Sequence, residues 1–146
     1  MRCFIDSNVL VYLRDTRDLA KTERAAEWTR FAASREAIVI SPQVINEFTS
    51  VLTRKLKLYT IPEMEPLVLE LRRWCSAPLT VDTSLLAFDV HKQFGFAWWD
   101  SLIVASALQS DCDVLLSEDM SHRRRIGPLR ILDPFLVRPD EALSPN

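Results

Sequence analysis

Asp6, Glu47, Asp100 and Asp119 are far apart in the chain, yet each falls where an apolar strand or helix meets what should be one common rim. Asp6 closes the run Cys3-Phe4-Ile5, and Asp119 follows Val114-Leu115-Leu116-Ser117, so both lie just past the carboxyl ends of expected strands. Glu47 rides among Val44, Phe48 and Val51 on a helical pattern, and Asp100 opens the apolar helix from Ser101 to Leu108. An isolated charge beside such faces is costly. If the strands are parallel, their carboxyl ends form the crevice where open α/β sheets bind ligands, and residues distant in sequence converge there. Converging carboxylates repel one another and hold protons unless a cation neutralises them. The pattern therefore suggests a site for a divalent metal.

Each acid also has a plainer explanation. Asp6 could cap a helix from Ser7 to Leu13, and Asp100 could cap its own helix. Asp119 could be a turn residue and Glu47 could lie at the solvent edge of its helix. Taken together, the four are harder to dismiss.

The elements that must position them follow from hydrophobic periodicity. Strand-like runs occur at residues 2–5, 37–40, 79–81, 114–116 and 129–132. Between them, residues 19–33 repeat Ala25, Trp28 and Ala32 at helical spacing. Ser41-Pro42 supplies an N-cap and first-turn proline for a helix over 43–57, and Pro62 starts another that reaches Cys75. Asp82 and Thr83 open a helix that ends near Gly95. Short strands alternating with helices predict an α/β sandwich around a mainly parallel sheet. The segment from Asp133, with Pro134, Pro139 and Pro145, is expected to lie loosely on the surface.

A chain of 146 residues fits one domain with a real core. It is 48% hydrophobic and 26% charged, ordinary for a soluble domain, and no run approaches the roughly 20 apolar residues that span a bilayer. An acid at position 6 precludes an early secretory segment, so a cytoplasmic protein without membrane association is expected. Cys3, Cys75 and Cys112 form no paired motif and read as reduced thiols. Gly95 and Gly127 are the only glycines and neither belongs to a phosphate-cradling loop, which excludes nucleotide binding of that kind. With a net charge of −2, any polyanion must be held by local basic patches.

Four segments carry a resemblance: Phe4-Ile5-Asp6-Ser7-Asn8-Val9-Leu10, Ser41-Pro42-Gln43-Val44-Ile45-Asn46-Glu47-Phe48, Trp98-Trp99-Asp100-Ser101-Leu102-Ile103-Val104-Ala105-Ser106-Ala107 and Leu115-Leu116-Ser117-Glu118-Asp119-Met120. In order and spacing they resemble the acidic motifs of PIN-domain ribonucleases, especially the VapC-type toxins of bacterial toxin–antitoxin pairs. The resemblance runs from Met1 to about Phe135. It implies a PIN-like α/β/α sandwich with about five strands over residues 1–135, followed by a surface tail at 136–146. It also implies that Asp6, Glu47, Asp100 and Asp119 hold Mg²⁺ or Mn²⁺ and the attacking water, with Asn8 and Ser117 as their supports. Gln43 and Asn46, beside Glu47, could assist. One departure is visible at Ser121-His122-Arg123-Arg124-Arg125, where relatives often have a glycine after the histidine.

What the resemblance implies is an endoribonuclease toxin that cleaves RNA through metal-activated water, leaves a 5′-phosphate, and is neutralised by a small antitoxin. Such proteins commonly form homodimers. The RNA grip would come from Arg54, Lys55 and Lys57 and from Arg123, Arg124 and Arg125; such phosphate contacts position a strand without specifying its sequence. Trp98 and Trp99 could stack a base or pack in the core. His91 and His122 are the only histidines and a catalytic histidine pair is not expected. Apolar residues at Leu56, Leu58, Tyr59, Ile61, Met64, Leu67, Val68 and Leu71 suggest an interface. A structure-specific DNA nuclease would need an added helical arch, and a phosphotransfer receiver an acidic pair after the first strand. A non-catalytic PIN-like scaffold has no use for all four acids.

Overall fold

The computed structural model describes residues 1–143. Five strands, β1 (Cys3–Ile5), β2 (Ile38–Val39), β3 (Val114–Leu116), β4 (Arg125–Ile126) and β5 (Leu129–Leu132), form one sheet in the order β2-β1-β3-β5-β4. All pairings are parallel except the β4–β5 hairpin, which turns at Gly127 in the left-handed region (φ 57°). Helices flank this mainly parallel sheet, as expected of an α/β/α sandwich. Every residue of β1 and β3 is buried, the signature of strands covered on both faces.

Strand order determines where a ligand can bind. From β1 the chain crosses to β2 on one side, whereas β3 lies on the other side of β1 and is followed by β5 further out. The direction of winding therefore reverses between β1 and β3, and open α/β sheets bind ligands beyond the carboxyl ends at such a point. Asp6 and Ser117 are the first residues past those two strands.

Two helices carry the remaining acids. Helix α3 (Pro42–Ser50) is capped by Ser41, whose side chain accepts from Val44 N, and it has proline in its first turn. It continues into a wider π-type turn, Val51–Lys55, closed by Leu56 N donating to Val51 O at 2.8 Å. Helix α6 (Trp98–Gln109) is buried on all sides from Ser101 to Ala107. Its Ile103, Val104 and Ala107 face the main core while Leu102 and Ala105 pack on Ala87 of α5 (Val81–Phe94), so the middle of α6 is internal while its first turn reaches the surface. Helices α1 (Ser7–Tyr12), α2 (Leu19–Ala33) and α4 (Ile61–Leu71) complete the layers.

Two expectations are corrected. Residues 79–81 do not form a strand: Thr80 caps α5 through a reciprocal arrangement with Thr83, and Val81 is the first, largely exposed residue of that helix. The fifth strand is instead β4, a two-residue edge strand whose residues, Arg125 and Ile126, make no apolar run. The segment after Asp133 is not loose as far as it is described. Val137 is buried, Trp28 Nε1 donates to its carbonyl at 2.9 Å, Arg138 pairs with Glu27, and α7 (Pro139–Ala142) follows. Pro145 lies outside the described residues.

Trp28→Phe keeps most of the buried ring and strands the Val137 carbonyl, which should cost about 1–3 kcal/mol. A urea midpoint equal to wild type would show that the terminal segment contributes nothing to stability.

Candidate functional site

Asp6 is almost fully buried at the end of β1, and its two carboxylate oxygens are separately held. Oδ1 accepts from Ser7 N at 2.8 Å and Oδ2 from Ser117 Oγ at 2.8 Å, while Asp6 N donates to Leu116 O across the β1–β3 boundary. Burial dominates its titration and raises its pKa to about 7. The charges of Glu47 and Asp100 push the same way and the two hydrogen bonds oppose them. A carboxyl with that environment shares a proton near neutrality when nothing else neutralises it.

Glu47 is clamped from both sides. Ser7 Oγ donates to its Oε2 at 2.9 Å and Gln43 Nε2 to its Oε1 at 2.8 Å. Gln43 precedes it by one helical turn, so one face of α3 presents both. Asp100 lies in the first turn of α6, but the capping position belongs to Ala97, which makes no side-chain bond. The capping alternative for Asp100 therefore does not hold. Burial raises the pKa of Asp100 first, then the charges of Asp119 and Glu47. Asp119 is exposed; its Oδ2 accepts from Asn8 Nδ2 at 3.0 Å and its backbone N donates to Ser117 Oγ at 3.3 Å. Asn8 Oδ1 in turn accepts from Glu118 N at 3.3 Å, and Glu118 pairs with Lys21 of α2. The loop after β3 is thus fastened to α1 and α2 together.

These four acids interact electrostatically, with Asp100 coupled to Asp6, Glu47 and Asp119. Among the described residues no three acids, histidines or cysteines are gathered as a ready metal cage. The donor set still fits a hard cation. It is all oxygen, two of its members hold protons more tightly than usual, and Mg²⁺ typically needs only one or two protein carboxylates beside water and phosphate oxygens.

A groove of about 450 Å³ opens beside the acids, lined by Ser7, Asn8, Glu47, Glu118 and Asp119 and by the cations Arg17 and Lys55. Lys55 was expected there. Arg17, paired with Asp15 at 2.8 Å, was not, and its run of alternating charges offers no signal for it. Ser7 was also passed over as a Glu47 partner, although its position directly after Asp6 could have suggested it. Arg54 and Lys57 are exposed near Lys55 in sequence. The three arginines after His122 do not line this groove. Arg124 donates to Phe94 O at 2.6 Å and stacks over Phe96, while Arg123 and Arg125 line a separate basic hollow with Arg130. Arg123 takes the left-handed backbone (φ 64°) that glycine favours, at the position of the noted departure. His122 Nδ1 accepts from Asp133 N, and His91 Nδ1 contacts Phe96 O. Of the apolar residues expected at an interface, Met64 and Leu71 are core while Leu58 and Ile61 remain exposed.

A family model of the PIN domain matches residues 3–126. The chain belongs to the PIN-domain family. Among solved structures its fold is similar to VapC20 of Mycobacterium tuberculosis, a sarcin-ricin loop cleaving toxin, at 16% identity and a TM-score of 0.58, covering 77% of this chain and 86% of that one. It is similar also to VapBC2 of Rickettsia felis, solved bound to a DNA fragment from its promoter, at 19% identity and a TM-score of 0.62, covering 90% and 97%. No curated protein sequence matches.

Because Asp6 binds its proton more tightly folded than unfolded, its stabilising effect is complete below its ordinary value of 3.8 and is lost as pH rises through about 7. In chelator the melting temperature should fall between pH 5 and pH 8, and Asp6→Asn should flatten that fall. Parallel pH profiles for both proteins would contradict the assignment.

Proposed function

We propose that this chain is a VapC-type toxin, a metal-dependent endoribonuclease acting in the cytoplasm and restrained by a small antitoxin protein. The single observation that carries the reading is the clamped acidic centre at the β1–β3 reversal, within a chain of the PIN-domain family. The fold likeness to a sarcin-ricin loop cleaving toxin and to VapBC2 supports it.

Asp6, Glu47, Asp100 and Asp119 would hold Mg²⁺, with Mn²⁺ as a substitute. The cation would supply Lewis acidity at phosphorus and the water that attacks it. The chain's own residues set the geometry. Ser7 and Gln43 orient the Glu47 carboxylate, and Ser117 and Asn8 orient Asp6 and Asp119. The scissile phosphate approaches along the groove, steered by Lys55 with Arg54 and Lys57 near it in sequence. Arg123 and Arg125, in their separate hollow, would add to the grip only on an RNA long enough to reach it. In-line attack by water leaves a 5′-phosphate and a 3′-hydroxyl. A homodimer would cover the exposed stripe Val81, Leu85 and Phe88, which recurs on one face of α5.

Asp100→Asn should abolish RNA cleavage, by roughly a hundredfold or more, while the metal-free protein melts no lower than wild type, since one repelling charge is gone. Near-normal cleavage would remove Asp100 from the centre. Wild-type cleavage should stop in excess chelator, and 2′,3′-cyclic phosphate ends would overturn water attack in favour of the ribose oxygen.

For the grip, Lys55→Ala should weaken RNA binding and reduce the slope of log affinity against log salt by about 0.7 for one phosphate contact to a single strand. Arg123→Ala with Arg125→Ala should lower the slope further. An unchanged slope in either would return those side chains to the solvated surface.

A further inference from the structure

A second cleft, of about 580 Å³, adjoins the acidic groove and shares Glu47 with it. Its size lies within the roughly 300–1,000 Å³ of small-ligand clefts. One wall is a face of α3, on which Gln43, Asn46, Glu47 and Ser50 recur at helical spacing; the other is Trp99 with Leu79. The two tryptophans differ sharply. Trp98 packs against Phe88 with ring centroids 4.7 Å apart, whereas Trp99 is 64% exposed, a costly arrangement for an indole with no partner ring among the described residues. Trp99 is not loosely held: Gln43 Nε2 bonds both its carbonyl, at 3.1 Å, and the Glu47 carboxylate. One amide therefore fixes the spacing between the indole and the acidic centre. Gln43 is 4% exposed, and its Oε1 has no hydrogen-bond partner among the described residues. A buried amide oxygen left so is expensive, and a small shift of the cleft wall would offer it to an N–H donor brought by a ligand.

We propose that this cleft is a nucleobase subsite: a base adjoining the scissile phosphate stacks on Trp99, and the amides of Gln43 and Asn46 and the hydroxyl of Ser50 meet its edge. Single-stranded RNA is recognised in this way, by aromatic stacking and polar contacts to unpaired edges. The inference rests on the ribonuclease reading and adds a specificity element to the same site. A protein segment could also cover an indole, and the cleft's open surface is mostly apolar, but among its described lining residues Leu79 is the one aliphatic side chain, and the amides and hydroxyl of α3 can meet a heterocycle's polar edge.

The test compares binding of an eight-residue oligoadenylate with a ribose-phosphate eight-mer that lacks its bases and carries the same phosphates, by fluorescence anisotropy with Ca²⁺ replacing Mg²⁺. Wild type should prefer the base-bearing strand by about tenfold. Trp99→Ala should lose that preference, and Trp99→Phe should keep most of it. Because the Trp99 side chain is exposed and its tie to Gln43 runs through the backbone, both variants should fold. Equal preference in wild type and Trp99→Ala would overturn the subsite. So would unchanged RNA binding by Trp99→Ala together with a shift from dimer to monomer in sedimentation, which would make the cleft an interface between copies. Loss of preference in Trp99→Ala with no cleavage by wild type would retain the subsite and remove the nuclease reading; cleavage without any base preference would do the reverse.

Discussion

A carboxylate taken almost wholly out of water sits at the centre of this structure, and the remaining features can be read as consequences of keeping it there. Asp6 follows a strand buried on both faces, so solvent relieves little of its charge, and the described groups that hydrogen-bond it, Ser7 N and Ser117 Oγ, are neutral. The hydroxyl of Ser117 and one backbone N–H offset part of the cost, and a proton or a cation must offset the rest. Moving the acid outward would require breaking the register between β1 and β3.

Around it, the supporting contacts form two connected chains. On one side Ser7 and Gln43 grip Glu47, and Gln43 continues to the backbone of Trp99 beside Asp100. On the other, Ser117 and Asn8 grip Asp119, and Glu118 carries the connection to Lys21 and the hydroxyl of Tyr12. The carboxylates of Asp6, Glu47 and Asp119 thus each have their direction set by at least one neighbour from a different element. Such pre-orientation is what makes a weakly bound, highly hydrated cation usable.

Much of this was legible from residue types alone. The strands at residues 3–5, 114–116 and 129–132 announce themselves as aliphatic runs, and the acids announce themselves by closing or flanking such runs. Leu79-Thr80-Val81 misled because a short apolar run does not distinguish a strand from an exposed helix start, and the deciding feature was the reciprocal Thr80–Thr83 cap. Strand β4 was invisible because an edge pairing of two residues, one of them arginine, leaves no periodicity to detect. Among side chains, the acids could be found by position, but Arg17 could not, since only the folding of α1 against α3 brings it to the groove that holds Lys55. The basic run at 123–125 shows the opposite limit: three adjacent cations look alike in sequence, yet one of them is bound to a carbonyl and stacked on an aromatic ring.

Strand order also sets when the acidic centre can assemble. β1 emerges first from the ribosome, but one of its two neighbours is β3, and the Ser117 hydroxyl that holds Asp6 lies 111 residues further along. Until that stretch has been synthesised, the first acid has neither its covering strand nor its hydrogen-bond donor, and Asp119 does not yet exist. A chain that stops before β3 therefore lacks the assembled acidic centre, because the topology brings its parts together only once β3 and the loop after it are present.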